Sequence, residues 1–461
     1  MSKSMMKRSI SQLTLALAAS GLLFACGGGG SNVPTRSGLG DNKPPPPPKQ
    51  DSNGSNGTSA AGDKPERQIS KDAREDYSKA VAFFKEKSEG GWTKDECSSA
   101  AGRFAEVAND HPKLVEAQYM VGRSYHACGM FAQAEKAYQE TLQKDSSHAH
   151  SLSNLGEIYY QAGKVESAKK YWESAIKADS KIAAARNNLA WLMIQELPGI
   201  SDRKQWGKVV EDAELQLSSS LAVDSENVKT YTLYALLYLE GSDRNKNRLD
   251  LAKLLLDEGE KRDGKFAPLH NAFGLLHMKR NSQSQALSSF EKAVALDPSF
   301  TEARMNVGNI TLGFRKYDVA ADQFSEVLKL QKDNYDALIG LGIAQRGLNK
   351  LDDAEASYKK AIDLDKRKSA AYFNLGVLYK DFRANAANGL PGAQEAYKEA
   401  RKHFRKFVSM SDVSPADKNE AEENIKDCDK IIQQIDDVMK AMAEAEAAEK
   451  AAAAGGDGGG Q

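Results

Sequence analysis

Thiols, imidazoles and carboxylates are the groups from which this chain could build chemistry, and their spacing limits what they can do. Four cysteines stand at 26, 97, 128 and 428 in a chain of 461 residues. They are too few and too dispersed for a disulfide scaffold or a clustered zinc site. The seven histidines are scattered too. His148 and His150 form the one close pair, and a solvated loop explains them better than a metal. No H-E-x-x-H, G-x-S-x-G or phosphate-loop signature is present. The Gly27–Gly30 run lacks the flanking strand and helix of a phosphate cradle. Carboxylates recur at helix-surface spacing, which marks solvated faces. The expectation is a protein with no catalytic residue, no metal and no cofactor, hence not an enzyme.

Cys26 has the context of a modified thiol. Lys3, Lys7 and Arg8 precede an apolar run over 9–25, too short for a secure membrane span but suited to a signal peptide. The run ends Leu23-Phe24-Ala25-Cys26, with an aliphatic residue at −3 and a small one at −1. It resembles a bacterial lipobox, which implies a diacylglyceryl thioether on Cys26. Several acyl chains, at about 0.8 kcal/mol per buried methylene, anchor stably where one does not. The alternative is an ordinary cleaved signal peptide with a chance cysteine. Gly27 after the cysteine implies, by the same resemblance, the periplasmic face of the outer membrane. Residues 26–68 are almost all Gly, Ser, Asn, Pro and charge, so they cannot build a core. A tether of this length reaches about 35–40 Å. Charge is balanced, 63 basic against 64 acidic groups, which disfavours nucleic acid as a partner. A mean hydropathy of −0.57 excludes a multi-span membrane protein.

From about 70 to 448 amphipathic helices follow one another with a fixed period. Gly122 and Gly156 are 34 residues apart, as are Gly274, Gly308, Gly342 and Gly376 in turn. Twelve residues after the glycine comes an alanine (134, 168, 286, 320, 354), and four later an aromatic: Tyr138, Trp172, Phe290, Phe324, Tyr358. This is the tetratricopeptide repeat (TPR) pattern. It predicts an all-α superhelical solenoid of eight to nine helix-turn-helix units over 69–414. Capping helices over 415–448 and a disordered tail over 449–461 should follow. The small residues permit close crossing of the first and second helix of each unit. The register survives insertions of 11, 5 and 12 residues, in the units starting near Ala183, Val228 and Ser369. Two of these carry Leu-Pro-Gly, at 197–199 and 390–392, placed between the two helices of a unit; partner-contacting loops and tolerated loop growth are equally open.

TPR arrays are scaffolds whose stacked first helices line a concave groove. Positions 5, 9 and 12 of each unit give a candidate protein-binding groove of Trp191, Leu236, Leu275, Met278, Met305, Ile339, Ile343, Phe373 and Val377. Its occupant is either a partner segment or the chain's own C-terminal helices. No unit pairs Lys at position 5 with Asn at position 9, so the carboxylate clamp of chaperone-binding TPR domains is absent. In a TPR stack Cys97 and Cys128 fall at one edge of neighbouring units. A disulfide between them is geometrically open in an oxidising periplasm.

Signal, tether and array together resemble outer-membrane TPR lipoproteins. The segments 270–298, 303–320 and 374–407 resemble the TPR lipoprotein of the myxobacterial adventurous gliding-motility machinery more than the shorter pilotin and barrel-assembly lipoproteins. The inserted NLGVLYKDFRAN (374–385) carries most of that likeness. It implies a non-enzymatic scaffold in an envelope-spanning motility complex, with other envelope or motility-complex proteins as partners. A pilotin-like or barrel-assembly accessory and an activator of a peptidoglycan synthase are the alternatives. Nucleic acid and small-molecule substrates are not expected.

Overall fold

A computed structural model of the chain describes residues 70–90 and 92–455, so the signal segment, Cys26 and the tether lie outside the described residues. The described residues are helical, without strands, and form two compact bodies, 70–282 and 283–455. In the first, helices pack in pairs: α1 (Lys71–Gly90) with α2 (Lys94–Asp110), α3 (Val115–Ala127) with α4 (Phe131–Lys144), α5 (Ala149–Gln161) with α6 (Val165–Ala178). The pairs α7 (Ala183–Glu196) with α8 (Arg203–Val223) and α9 (Val228–Glu240) with α10 (Arg248–Arg262) follow, then α11 (Ala267–Lys279). The second body opens with α12 (Gln283–Leu296). It continues with α13 (Thr301–Gly313) and α14 (Tyr317–Leu330), α15 (Tyr335–Gly347) and α16 (Leu351–Leu364), α17 (Ala370–Val377) and α18 (Gly389–Val408), and α19 (Pro415–Gly455).

Two local devices set the period. The turn between the two helices of a regular unit needs one residue in the left-handed region: Gly129 and Gly163 early in the chain, Asn281, Arg315 and Asn349 later. Most second helices then end on an aspartate whose carboxylate accepts from the backbone N–H two residues on. Ser147 N to Asp145 is 3.1 Å, Lys181 N to Asp179 2.8 Å, and Arg367 N to Asp365 3.0 Å. This link turns the chain toward the next unit.

The core of each regular unit is a small residue facing a ring. A Cβ placed on Gly122, Gly156, Gly342 or Gly376 would meet Tyr138, Trp172, Tyr358 or Phe404 at 2.5–2.6 Å. Where the first two insertions fall, the pair changes together: Ala190 shares a core with Leu217, and Ala235 with Leu256. A larger residue on the first helix is matched by a smaller one on the second.

Three features differ from the sequence expectation. The C-terminal cap is one helix, and it runs through 449–455, where a disordered tail was expected. No Gly or Pro interrupts 416–454, and the Ala/Glu/Lys composition favours helix throughout. The first Leu-Pro-Gly is a 3₁₀ turn with Leu197 buried beside Ile194, Val210 and Leu217. The second opens α18 itself, and the extra residues before it extend α17 as a π-helical turn, Leu378–Arg383.

Cys97, in the first turn of α2, is bonded to Cys128 at the end of α3, with Cα atoms 6.3 Å apart. A crosslink spanning 31 positions restricts the unfolded chain by about 3–4 kcal/mol. We expect Cys97→Ser with Cys128→Ser to speed amide hydrogen exchange in α1 and α2 and leave α5 to α11 unchanged. Equal protection in both forms would show that the crosslink fastens nothing.

Candidate protein-binding surface

The groove residues separate into two classes, set by position within the first helix. Position 5 is covered in every unit except those of Asn271 and Met305, which are half-buried. Tyr119, Ser153, Asn187, Thr232, Ile339 and Phe373 are all buried. Consecutive first helices approach closely enough to close over them. Asn154 donates to the Tyr119 hydroxyl at 3.3 Å, and Asn187 donates to the Thr230 hydroxyl at 2.9 Å. The expectation that Ile339 and Phe373 line a groove is therefore corrected. Ile339 lies in a core with Tyr358 and Leu375. Phe373 packs against Phe404 and Phe407, with ring centroids 5.6 and 5.1 Å apart.

Position 9, one turn further on, stands at the rim. Trp191, Leu236 and Leu275 in the first body are half-buried, as is Met278 at position 12. Ile343 and Val377 are half-buried in the second, and so is Met305, which stands at position 5. α19 packs at the end of the second body, where Val377 rests against the cluster it shares with α18. Its Ala421 and Cys428 pack with Phe373, Ala400 and Phe404 beside α18, and Arg401 of α18 bonds Asp429 at 2.6 Å.

The first units carry charge at position 9 instead. Arg123 and Glu157 are both buried. Burial pushes the Glu157 carboxyl up to about 7, against the opposing pull of Lys229 and Arg123. The sign follows. A carboxyl with a raised folded pKa contributes stability that is full below its ordinary value of 4.5 and is lost as pH rises through about 7. A rise of this size is worth up to about 3 kcal/mol. The melting temperature of the wild type minus that of Glu157→Gln should therefore fall between pH 5 and pH 8. A difference independent of pH would mean that Glu157 keeps an ordinary pKa.

His148 and His150 sit at the start of α5. His148 Nδ1 accepts from Ser151 N at 3.2 Å, and its ring lies 5.0 Å from Tyr119. That is helix capping. Among the described residues no group of three His, Cys, Asp or Glu could hold a metal ion, and no helix is long and apolar enough to cross a membrane. Cys26 lies outside the described residues.

The inserted NLGVLYKDFRAN segment (374–385) forms a strut. Tyr379 donates to Glu355 at 2.9 Å, Arg383 bonds Asp352 and Glu355, and Lys380 bonds Asn424 at 2.7 Å and Asp427 at 2.9 Å. It ties α16 to α19.

Stacked helix pairs with a half-buried apolar rim define a helical-repeat scaffold. The family model for the tetratricopeptide repeat matches residues 119–168, 153–195, 271–335, 308–369 and 339–387. Those segments are tetratricopeptide repeats, and the fold they build is a TPR solenoid. Among solved structures the chain is similar to a thermophilic TPR protein of Thermus thermophilus, at 21% identity over 43% of this chain and 99% of that one, with a TM-score of 0.37. It is also similar to PilW, a type IV pilus biogenesis factor, at 16% identity over 52% and 98%, with a TM-score of 0.40. YrrB, a TPR protein with an unusual peptide-binding site, shares 22% identity over 43% and 95%, with a TM-score of 0.30. No curated protein sequence matches the chain.

Proposed function

We propose that this protein is a non-enzymatic interaction scaffold, held by a lipid on Cys26 at the periplasmic face of the outer membrane. There it serves as a subunit of an envelope-spanning gliding-motility complex. The observation that carries the scaffold reading is the apolar rim of the first body. Trp191, Leu236, Leu275 and Met278 stand half-buried on successive first helices that no element among the described residues covers completely. The lipobox-like Leu23-Phe24-Ala25-Cys26 supports the anchor, and the inserted segment 374–385 supports the motility setting.

In-cell crosslinking followed by mass spectrometry of neighbours tests the setting. Motility-complex subunits should be recovered with the wild type. They should be lost with Leu275→Asp plus Met278→Asp at unchanged helicity. Retention by the folded double variant would sink the groove reading. Cys26→Ser should move the protein from the membrane to the soluble periplasmic fraction, and an unchanged fractionation would sink the anchor.

A further inference from the structure

The outward face of the second helices repeats as regularly as the core, and it breaks at one place. Two residues after the buried alanine of the second helix stand Lys136, Lys170, Ser288, Asp322, Ala356 and Lys402, all exposed. Small or charged residues there keep the outside of the array wet. In two consecutive units the same position holds Leu215 on α8 and Leu254 on α10. They are 59% and 58% exposed, and Leu251, one turn before Leu254, is 45% exposed. α8 and α10 both pack against α9, so their equivalent positions lie on one side of this body. These are also the two units that depart from the glycine–aromatic core and carry insertions.

The charge beside the leucines narrows what can cover them. Glu211 and Asp212 stand one turn before Leu215, and neither makes an ion pair among the described residues, whereas Glu214 stands near Arg248, Tyr234 and Tyr238. On α10 the charges are already paired: Asp257 with Lys253 at 2.6 Å, Glu258 with Lys261 at 2.6 Å and with Arg262 at 3.0 Å, and Asp250 with Arg280 at 2.6 Å. Lys204 and Lys208 stand toward the start of the same face of α8. A second copy would bring the same two carboxylates against themselves, which like-charge repulsion opposes. A basic partner meets them with opposite charge.

We propose that the leucine seam of α8 and α10 docks an amphipathic helix of a partner protein, apolar on one face and flanked by lysine or arginine. The surface is separate from the groove and does not depend on it.

The test uses the full-length chain in detergent and a fluorescein-labelled model helix of leucine and lysine. A probe of about 18 residues is roughly 27 Å long, enough to lie along one second helix. The same helix with glutamate for lysine is the control. Fluorescence anisotropy should show the lysine probe binding at least about tenfold more tightly than the glutamate probe, and less tightly at high salt. Leu215→Lys with Leu254→Lys uses the residue three other units carry there. It should weaken binding by at least about tenfold with an unchanged melting temperature. Leu275→Asp with Met278→Asp, in the groove, should leave binding as in the wild type. Equal binding by the seam variant, or equal binding of the two probes, overturns the proposal. So does loss of binding in the groove variant alone. A wild-type dimer seen by light scattering that becomes a monomer on Leu215→Lys/Leu254→Lys also overturns it, because the occupant is then a second copy.

Discussion

Replacing Gly342 by alanine is expected to destabilise the second body by about 3 kcal/mol, although alanine is the better helix former by about 1 kcal/mol. The added methyl would stand 2.5 Å from Tyr358 Cε1, closer than real Cβ contacts come. The ring cannot swing away, because it is fully buried among Leu338, Ala354 and Leu375. Tyr358→Leu should act as a suppressor. Its hydroxyl is buried without a hydrogen-bond partner, so removing it strands no donor or acceptor. The resulting Ala–Leu pair is the arrangement the chain already uses at Ala190 with Leu217 and at Ala235 with Leu256. Urea unfolding followed by circular dichroism should show the double variant less destabilised than the sum of the singles by about 2 kcal/mol. Additive losses would mean that glycine and ring are not the contact that limits the unit.

Phe373→Asp should unfold the end of the array. Losing a buried phenylalanine costs about 3–5 kcal/mol, and an ionised carboxylate left in its place costs more. Phe373 shares its core with Phe404, Phe407, Met410 and Val413, and with Ala421 and Cys428 of α19. The substitution therefore removes the floor on which the cap rests. Limited proteolysis should release α19 and cut within α18, whereas Met278→Asp at the first body's rim should leave the digestion pattern intact. Unchanged protection of α18 and α19 would return Phe373 to the groove.

Much of the fold was legible because its determinants are steric and local. Glycine, alanine and ring recur in register because the two helices of a unit cannot otherwise cross. The first two inserted units changed both members of the pair at once, and the third kept Gly376 and Phe404, so all three stayed readable. Groove exposure was only half legible. Positions 5 and 9 share one helical stripe, and which of them reaches solvent depends on how tightly consecutive first helices close, a property of several units together. That is why Phe373 and Ile339 were misplaced while Trp191, Leu236 and Leu275 stand at the rim. Pro391 reads as a turn signal, yet it lies in the first turn of α18, where a missing backbone N–H costs nothing. The exposed pair Leu215 and Leu254 was within reach of the sequence. Aligning second helices rather than first ones displays it, but exposure is what separates a surface leucine from a core one.

The single helix at the C-terminus has a consequence for assembly. A repeat array whose last surface matches its own beginning can stack end on end without limit. α19 takes the place of a further first helix, and among the described residues no second helix follows it. Beyond the residues resting on α18 it turns Glu422, Glu423, Lys426, Lys430 and Asp437 to solvent. Filament growth through that face would have to bury those charges, which opposes head-to-tail stacking.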